Sequence, residues 1–430
     1  MARKMKDSGI EWIGEIPEGW EVVPVRSCFD EVRTKNTDGQ EQNALQFKSG
    51  NIISKTNFNA NTDDYVADAI TNYTVVSPDT VMINGLNLNY DFKSLRVALV
   101  KEKGVITSAY LAILPDKKKI SPQYATYLFK GYETKMAFHN MGAGIRKTLG
   151  YKEFKNQPLL LPSKEEQNKI SAYLDSKCSH IDIMLSKIRS SIEEYKKLKQ
   201  AVIPQAVTKG VRGERKMKDS GVEWIGEIPK EFNPVQLKFF CKLITDGTHF
   251  SPTTVENGWP YITAGDVHGI GLDYNSAKRI SEEDFQLLVA QGCQPLKGDV
   301  LLVKDGATTG RVGFVDSDAP CVILSSVAML RPADNTDGHY LMYLLASDFL
   351  QKQILVSMAG SAMPRTTLTK LTKYTGLLPP LHEQKEIANY LDAKCAEIDG
   401  LIAKKEQLVK ELESYKRSLI YEVVTGKREV

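Results

Sequence analysis

Two glycine-bearing loops end on cations followed by hydroxyls. "NMGAGIRKTLGYKEF" (140–154) supplies Arg146, Lys147 and Thr148, and "SMAGSAMPRTTLTKL" (357–371) supplies Arg365, Thr366 and Thr367. Small residues let backbone amides approach a phosphate, and an arginine fork matches phosphate oxygens or a guanine edge bidentately. DNA contact is therefore the chemistry this pattern predicts, against a plain surface turn. A second pair of candidates is Lys93 with Arg96 in "DFKSLRVALV" and Lys304 with Arg311 in "VKDGATTGRVGFV", where a contact and a solvated hairpin both fit. In "TDGTHFSP" (245–252), Asp246, Thr248 and His249 offer further hydrogen-bonding groups.

Catalytic chemistry finds little support in the same residues. "GAGIRKT" lacks the glycine that a Walker loop places directly before its lysine, because Arg146 stands there, and "HEQKE" (382–386) lacks the second histidine of a zincin. Neither a GxGxxG fingerprint nor the Asn/Asp-Pro-Pro-aromatic tetrapeptide of amino-methyltransferases occurs. Pro78-Asp79 with Asp116-Lys117-Lys118 fits a metal-dependent nuclease core only loosely. No catalytic or metal-ligating residue is assigned. The six cysteines, Cys28, Cys178, Cys241, Cys293, Cys321 and Cys395, show no CxxC spacing and read as reduced and mostly buried.

The elements that must position the loops are marked by repetition. "KMKDSGIEWIGEIP" (4–17) recurs as "KMKDSGVEWIGEIP" (216–229), differing only at Ile10/Val222. "LPSKEEQNKISAYLDSKCSHID" (161–182) recurs in the same order as "LPPLHEQKEIANYLDAKCAEID" (378–399). After Pro162, Leu174, Ile181, Ile188, Tyr195 and Val202 step by sevens, with Met184 and Leu198 as a second row. After Pro380, Leu391, Ile398, Leu412 and Leu419 do the same, with Ile387, Leu401, Leu408 and Tyr415 beside them. Each segment reads as a helix of roughly 60 Å with one narrow apolar seam. The simplest partner for each seam is the other copy, and compact routing makes the pair an intramolecular antiparallel coiled coil with Cys178 and Cys395 too far apart for a disulfide.

Between these frames, "TVMING" (80–85), "DVLLVKDG" (299–306), "RVGFV" (311–315) and "VAMLRP" (327–332) alternate like short strands. "SPQYATYLFKGYETKMAF" (121–138) and "DGHYLMYLLASDFLQKQIL" (337–355) read as equivalent helices. The fold class is thus α+β: two domains of mixed short strands and helices, two long helices, and a pseudo-two-fold internal repeat. A length of 430 residues exceeds one ordinary core, and 42 % hydrophobic with 25 % charged residues describes a soluble globular chain. No apolar run of about 18 residues exists to cross a bilayer. The start, "MARKMKDSGIEWIG", carries no secretory h-region, so a cytoplasmic location is expected. A net charge of +3 would not by itself point to DNA.

The pattern resembles the specificity subunits of type I restriction-modification systems. The resemblance covers the whole chain and rests on "SGIEWIGEIPEGWEVVPV", "SGVEWIGEIPKEFNPVQL", "LPSKEEQNKISAYLD", "LPPLHEQKEIANYLD" and "VLLVKDGATTGRVGF". Phe232 stands where the first opening has Trp20. The resemblance implies target-recognition domains over 1–162 and 211–380 and conserved spacer helices over 163–210 and 381–430. It also implies that each domain reads one half of a bipartite, asymmetric site in double-stranded DNA while the helices set the spacing. The implied partners are two modification (methyltransferase) subunits and the restriction (translocase/endonuclease) subunits. S-adenosylmethionine, ATP and magnesium belong to those subunits, with no cofactor and no catalysis in this chain. A stand-alone DNA methyltransferase or nuclease, and a coiled-coil adaptor that binds proteins only, are the competing readings.

Overall fold

The computed structural model describes residues 3–48, 50–55, 70–92, 95–142, 147–358 and 364–430. The chain divides into two compact units, Met1–Arg189 with Glu406–Val430, and Ser190–Lys405, both of mixed helix and strand.

The first unit opens with β1 (Met5–Asp7) and β2 (Glu15–Pro17), an antiparallel hairpin pairing Met5 with Pro17 and Asp7 with Glu15. Its connection explains the "DSG" motif. The Asp7 carboxylate accepts from Gly9 N at 3.0 Å and the Ser8 hydroxyl from Ile10 N at 3.1 Å. Gly9 and Gly14 sit at φ +69° and +72°, a region that costs glycine little. After β3 (Glu21–Pro24) comes a four-stranded antiparallel sheet: β4 (Phe29–Glu31), β5 (Val81–Ile83), β6 (Val97–Leu99) and β7 (Leu111–Pro115), in the order β4-β7-β5-β6. Helix α1 (Pro122–Thr134) starts where the sequence provides a Ser121 cap, whose hydroxyl accepts from Tyr124 N, and a proline in the first turn. It buries Tyr124, Leu128, Phe129 and Tyr132. A single turn, α2 (Tyr151–Phe154), leads to β8 (Pro158–Leu161), which pairs with β3, and then to the long helix α3 (Lys164–Lys209).

The second unit repeats this order. Strands β9 (Met217–Asp219) and β10 (Glu227–Pro229) form the hairpin, with Asp219, Ser220, Gly221 and Gly226 in the roles just described. Next come β11 (Asn233–Gln236) and a sheet of β12 (Cys241–Asp246), β13 (Val300–Val303), β14 (Val312–Phe314) and β15 (Val327–Pro332), in the order β12-β15-β13-β14. The helices are α4 (Gly338–Ala346), capped by Asp337, α5 (Asp348–Met358) and the single turn α6 (Leu368–Leu371). Strand β16 (Thr375–Leu378) pairs with β11 and enters α7 (Leu381–Val424). The two units differ in the stretch before the second sheet strand: in the first, Leu45–Lys48 pairs with Asn51–Ser54 and Thr74–Val76 with Gly104–Ile106, whereas in the second Trp259–Ile262 pairs with Lys278–Ile280 and, in parallel, with Val322–Ile323.

The glutamate and glutamine of the repeated "EQ" have separate structural tasks. Gln167 Nε2 donates to the Lys119 and Pro162 carbonyls while its Oε1 accepts from Ser121 N. Gln384 donates to Asn335 and Pro379 and accepts from Asp337 N. Each amide satisfies backbone groups at the starts of two helices that would otherwise be buried unpaired. Glu166 accepts from Trp20 Nε1 at 2.9 Å and pairs with Arg3. Phe232 has no such donor, and Glu383 instead takes both terminal nitrogens of Arg215, whose guanidinium lies 5.3 Å from the Phe232 ring centroid. A third repeated bond runs from α1 and α4 to the long helices: Tyr127 OH donates to Asp175 at 2.7 Å and Tyr343 OH to Asp392 at 2.8 Å.

The rows stepping by sevens lie on the inward face, but the second row differs from expectation. Ile387 is buried and Leu401 half-buried, but Met184, Leu198, Leu408 and Tyr415 are exposed, and the intermediate positions are held by Cys178, Leu185 and Ile192 on α3 and by Cys395 and Val409 on α7. The inward face advances by four and then three along most of each helix, so a row placed three residues after the first leaves it beyond the first turns of α7. Within the first unit Lys416 pairs with Asp182 and Arg189 with Glu413. Within the second, Lys199 pairs with Asp399 and Lys405 lies over Tyr195. As the α3 number rises the α7 number falls in both units, so the paired stretches are antiparallel.

All six cysteines are free, and Cys241 alone among them is partly exposed. Burial pushes the Cys241 and Cys321 thiols up to about 12. Among the described residues no helix is long and apolar enough to cross a membrane.

Candidate nucleic-acid interface

In each unit the connection after the second strand of the sheet is tied to the segment before the single-turn helix. The tertiary structure thereby joins candidate loops that lie tens of residues apart in sequence.

In the first unit these are the β5–β6 connection and residues 147–150. Leu88 N donates to the Lys147 carbonyl at 3.2 Å and Leu149 N to the Gly85 carbonyl at 2.9 Å. A Cβ on Gly85 would stand 2.5 Å from the Leu149 carbonyl oxygen, so glycine is required for this approach. Lys147, at φ +38°, and Thr148 are exposed. Lys93 and Arg146 lie outside the described residues.

Arg96 is corrected from a DNA contact to an internal anchor. Its side chain is fully buried, and its guanidinium donates to the carbonyls of Asn84, Leu86 and Asp91, holding the connection in shape from beneath. Glu133 of α1 accepts from Arg96 N. Burial outweighs that bond and pushes the Glu133 carboxyl up to about 7. The connection presents Tyr90, 73 % exposed, and Phe92, which stacks on His139 at 5.1 Å. These two aromatics were not singled out in the sequence, where only their place beside Lys93 could have drawn attention.

In the second unit the equivalent segments are the β13–β14 connection and residues 364–367. Asp305 and Arg365 face each other as an antiparallel bridge, Gly306 N donates to the Pro364 carbonyl at 3.0 Å, and Thr366 N donates to the Lys304 carbonyl at 2.9 Å. Lys304 is corrected in the same way as Arg96. Its side chain is 3 % exposed, and Nζ lies 3.2 Å from Asp246 Oδ2 and 2.8 Å from Asp305 Oδ2. A buried ammonium needs such partners, so Asp246 is engaged inward as well. Asp305 Oδ1 in turn lies 2.9 Å from Arg365 Nε.

Thr366 is also internal, its hydroxyl 2.6 Å from the buried-side Tyr374 OH, whereas Thr367 caps α6 by accepting from Lys370 N. Thr248 is buried, bridged to Leu324, and its hydroxyl accepts from Phe250 N at 2.9 Å. That turn leaves His249 and Phe250 exposed. Arg311 is exposed, with Nη1 reaching the Val267 carbonyl at 3.5 Å. The outward-facing candidates are therefore Lys147, Thr148, His249, Arg311, Arg365 and Thr367, the last with its hydroxyl engaged as a cap. Asp305, missed in the sequence, sits directly after the buried lysine.

Asp79 and Lys117 meet in an ion pair at 2.6 Å. Among the described residues, however, no group of three or more histidines, cysteines or carboxylates is placed to hold a metal.

Residues 229–411 match the model of the type I restriction modification DNA specificity domain. The chain is 25% identical to the type I restriction enzyme MjaVIII specificity subunit of Methanocaldococcus jannaschii over 426 residues, 96% of this chain and 93% of the relative. It is 22% identical to the EcoBI specificity subunit of Escherichia coli over 352 residues, 79% of this chain and 72% of that one. A chain from a structure of complex assembly and conformational transition in the type I R-M system superposes with a TM-score of 0.72 at 17% identity, over 96% and 99% of the two chains. The HsdS subunit of Thermoanaerobacter tengcongensis superposes with 0.54 at 18% identity, over 96% and 98%. The match to the specificity-domain model thus falls in the second half of the chain, and the likeness to specificity subunits runs through the full length.

Proposed function

We propose that this chain is the sequence-specific DNA-binding subunit of a type I restriction-modification complex and catalyses nothing itself. The observation that carries the reading is the recurrence, in two units of like strand order, of one arrangement: a cation-bearing loop after the second sheet strand, tied to a second cation-bearing loop before a one-turn helix. On this reading each unit presents its loops to one half of a bipartite site in double-stranded DNA. The half-sites differ because the loops differ: aromatic Tyr90 and Phe92 with Lys147 in one, Arg365, Arg311 and His249 in the other.

The two long helices act as an antiparallel coiled-coil spacer that sets the distance between half-sites. Their repeated surfaces scaffold two methyltransferase subunits, with restriction subunits joining them. S-adenosylmethionine, ATP and magnesium then belong to those partners, in the cytoplasm. The domain limits follow the frames, 1–162 and 211–380 for recognition, 163–210 and 381–430 for spacing.

The test is to assemble the chain with its methyltransferase subunits, methylate a randomised duplex library and sequence the modified sites. A split motif with two unlike halves is expected. Methylation without sequence preference, or methylation or cleavage by this chain alone, overturns the reading.

A further inference from the structure

We propose that Arg365 is the guanine-reading residue of the second unit and that Asp305 is its positioning residue; this rests on the DNA-recognition reading above. Four charges alternate in a line, Asp246, Lys304, Asp305 and Arg365, with successive contacts at 3.2, 2.8 and 2.9 Å. Lys304 is shut away from solvent, so its charge serves to hold the Asp305 carboxylate by Oδ2 and leave Oδ1 toward Arg365. An exposed ion pair adds little stability, and burying a lysine beneath one is costly. Orientation explains the arrangement where stability does not.

The backbone on both sides is fixed by the Gly306–Pro364 and Thr366–Lys304 hydrogen bonds and by the buried Thr366 hydroxyl on Tyr374. Arg365 itself remains 59% exposed. Asp305 Oδ1 stands beside Nε as an ion pair without an aligned hydrogen bond, so it biases the guanidinium by charge and leaves the edge formed by Nη1 and Nη2. Two parallel donors on a pre-set plane match the O6 and N7 acceptors that guanine shows in the major groove. Pre-orientation lowers the entropy lost when the contact forms. The same fork fits a phosphate, but a phosphate contact fixes register without reading sequence, so base preference separates the two.

The experiment uses the full chain in complex with its methyltransferase subunits and a randomised duplex library, reading base preference at every position. The wild-type motif is expected to contain a G·C pair in the half-site read by the second unit. Arg365→Ala should reduce preference at that one pair by about 10- to 100-fold and leave the other half-site unchanged. Asp305→Asn should relax the same position, and Arg365→Lys should not restore it. An unchanged motif in Arg365→Ala, a uniform loss of binding without altered base preference, or a wild-type motif lacking any G·C pair overturns the assignment. A wild-type complex with no motif overturns the recognition reading itself, a separate outcome.

Discussion

Lys416 Nζ lies 2.6 and 2.7 Å from the two carboxylate oxygens of Asp182, and Lys199 meets Asp399 at 2.8 and 2.6 Å. Asp182 and Asp399 are equivalent in the repeat, as are Lys199 and Lys416, so one contact occurs twice with donor and acceptor exchanged between α3 and α7. Polar residues at a seam favour one register over its neighbours. Each pair is partly exposed, so a double-mutant cycle on Asp182 and Lys416 in urea unfolding should return a coupling of about 0.2–1 kcal/mol. Lys416→Glu should cost more than Lys416→Met, and adding Asp182→Lys should recover most of the difference. Equal losses for the two single variants would remove the charge from the account.

Glu383 is 1% exposed, and its partner Arg215 is 13% exposed. The bond from Glu383 raises the Arg215 guanidinium further above its already high range. Removing one member of a buried pair leaves the other uncompensated, so Glu383→Ala should destabilise the second unit by about 3–5 kcal/mol. Glu166, with a partly exposed Arg3 and a neutral indole as donors, should tolerate the same change at a smaller cost. Denaturant unfolding of both variants checks the order. A reversed order would place the clamp in the wrong half.

Glu133 supplies a pH dependence. Its carboxyl stands at about 7 in the folded chain, with burial as the leading cause, against about 4.3 when unfolded. Between those values the folded state holds a proton that the unfolded state has released. The stabilising contribution is therefore full below about pH 4 and is lost as pH rises through about 7, by up to about 4 kcal/mol. Glu133→Gln should flatten this part of the curve, read by urea midpoints from pH 5 to 8. An equally steep curve in the variant would move the titration elsewhere.

Gly85 and Arg96 hold the first unit's loops from two sides. Gly85→Ala would bring a methyl to 2.5 Å from the Leu149 carbonyl, which forces the joined segments apart. Arg96→Leu would leave three carbonyl acceptors without their buried donor, at a cost of about 1–3 kcal/mol for each that stays dry. Both variants should speed amide exchange at Leu88 and Leu149 while leaving the second unit's exchange unchanged. Unaltered exchange at those amides would show that the loops keep their shape by other means.

Much of the frame was legible in the residues themselves. "DSG" and "EIP" were legible as a repeated frame, and the hairpin they form emerged only in the structure, where aspartate, serine and two glycines satisfy one turn locally. Ser121 and Asp337 announce helix starts for the same reason. Leu174, Ile181 and Ile188 marked the inward row of α3, while the apolar but exposed Met184 and Leu198 drew attention from the second row at Cys178, Leu185 and Ile192.

The site was legible in its parts and not in its arrangement. Lys147, His249, Arg311 and Arg365 face outward as a contact requires, whereas Arg96, Lys304 and Thr366, of like chemistry and adjacent in sequence, face inward. Residue type sets what a side chain can bond to, and that much the sequence determined, along with the turns, the helix starts and the repeat. Which face of a loop a side chain occupies depends on distant partners: Asp246 for Lys304, Tyr374 for Thr366, and the Asn84 and Leu86 carbonyls for Arg96. Burying a charge is tolerable only once those partners are in place, so the tertiary structure alone decided which cations anchor the loops and which are left to meet a ligand.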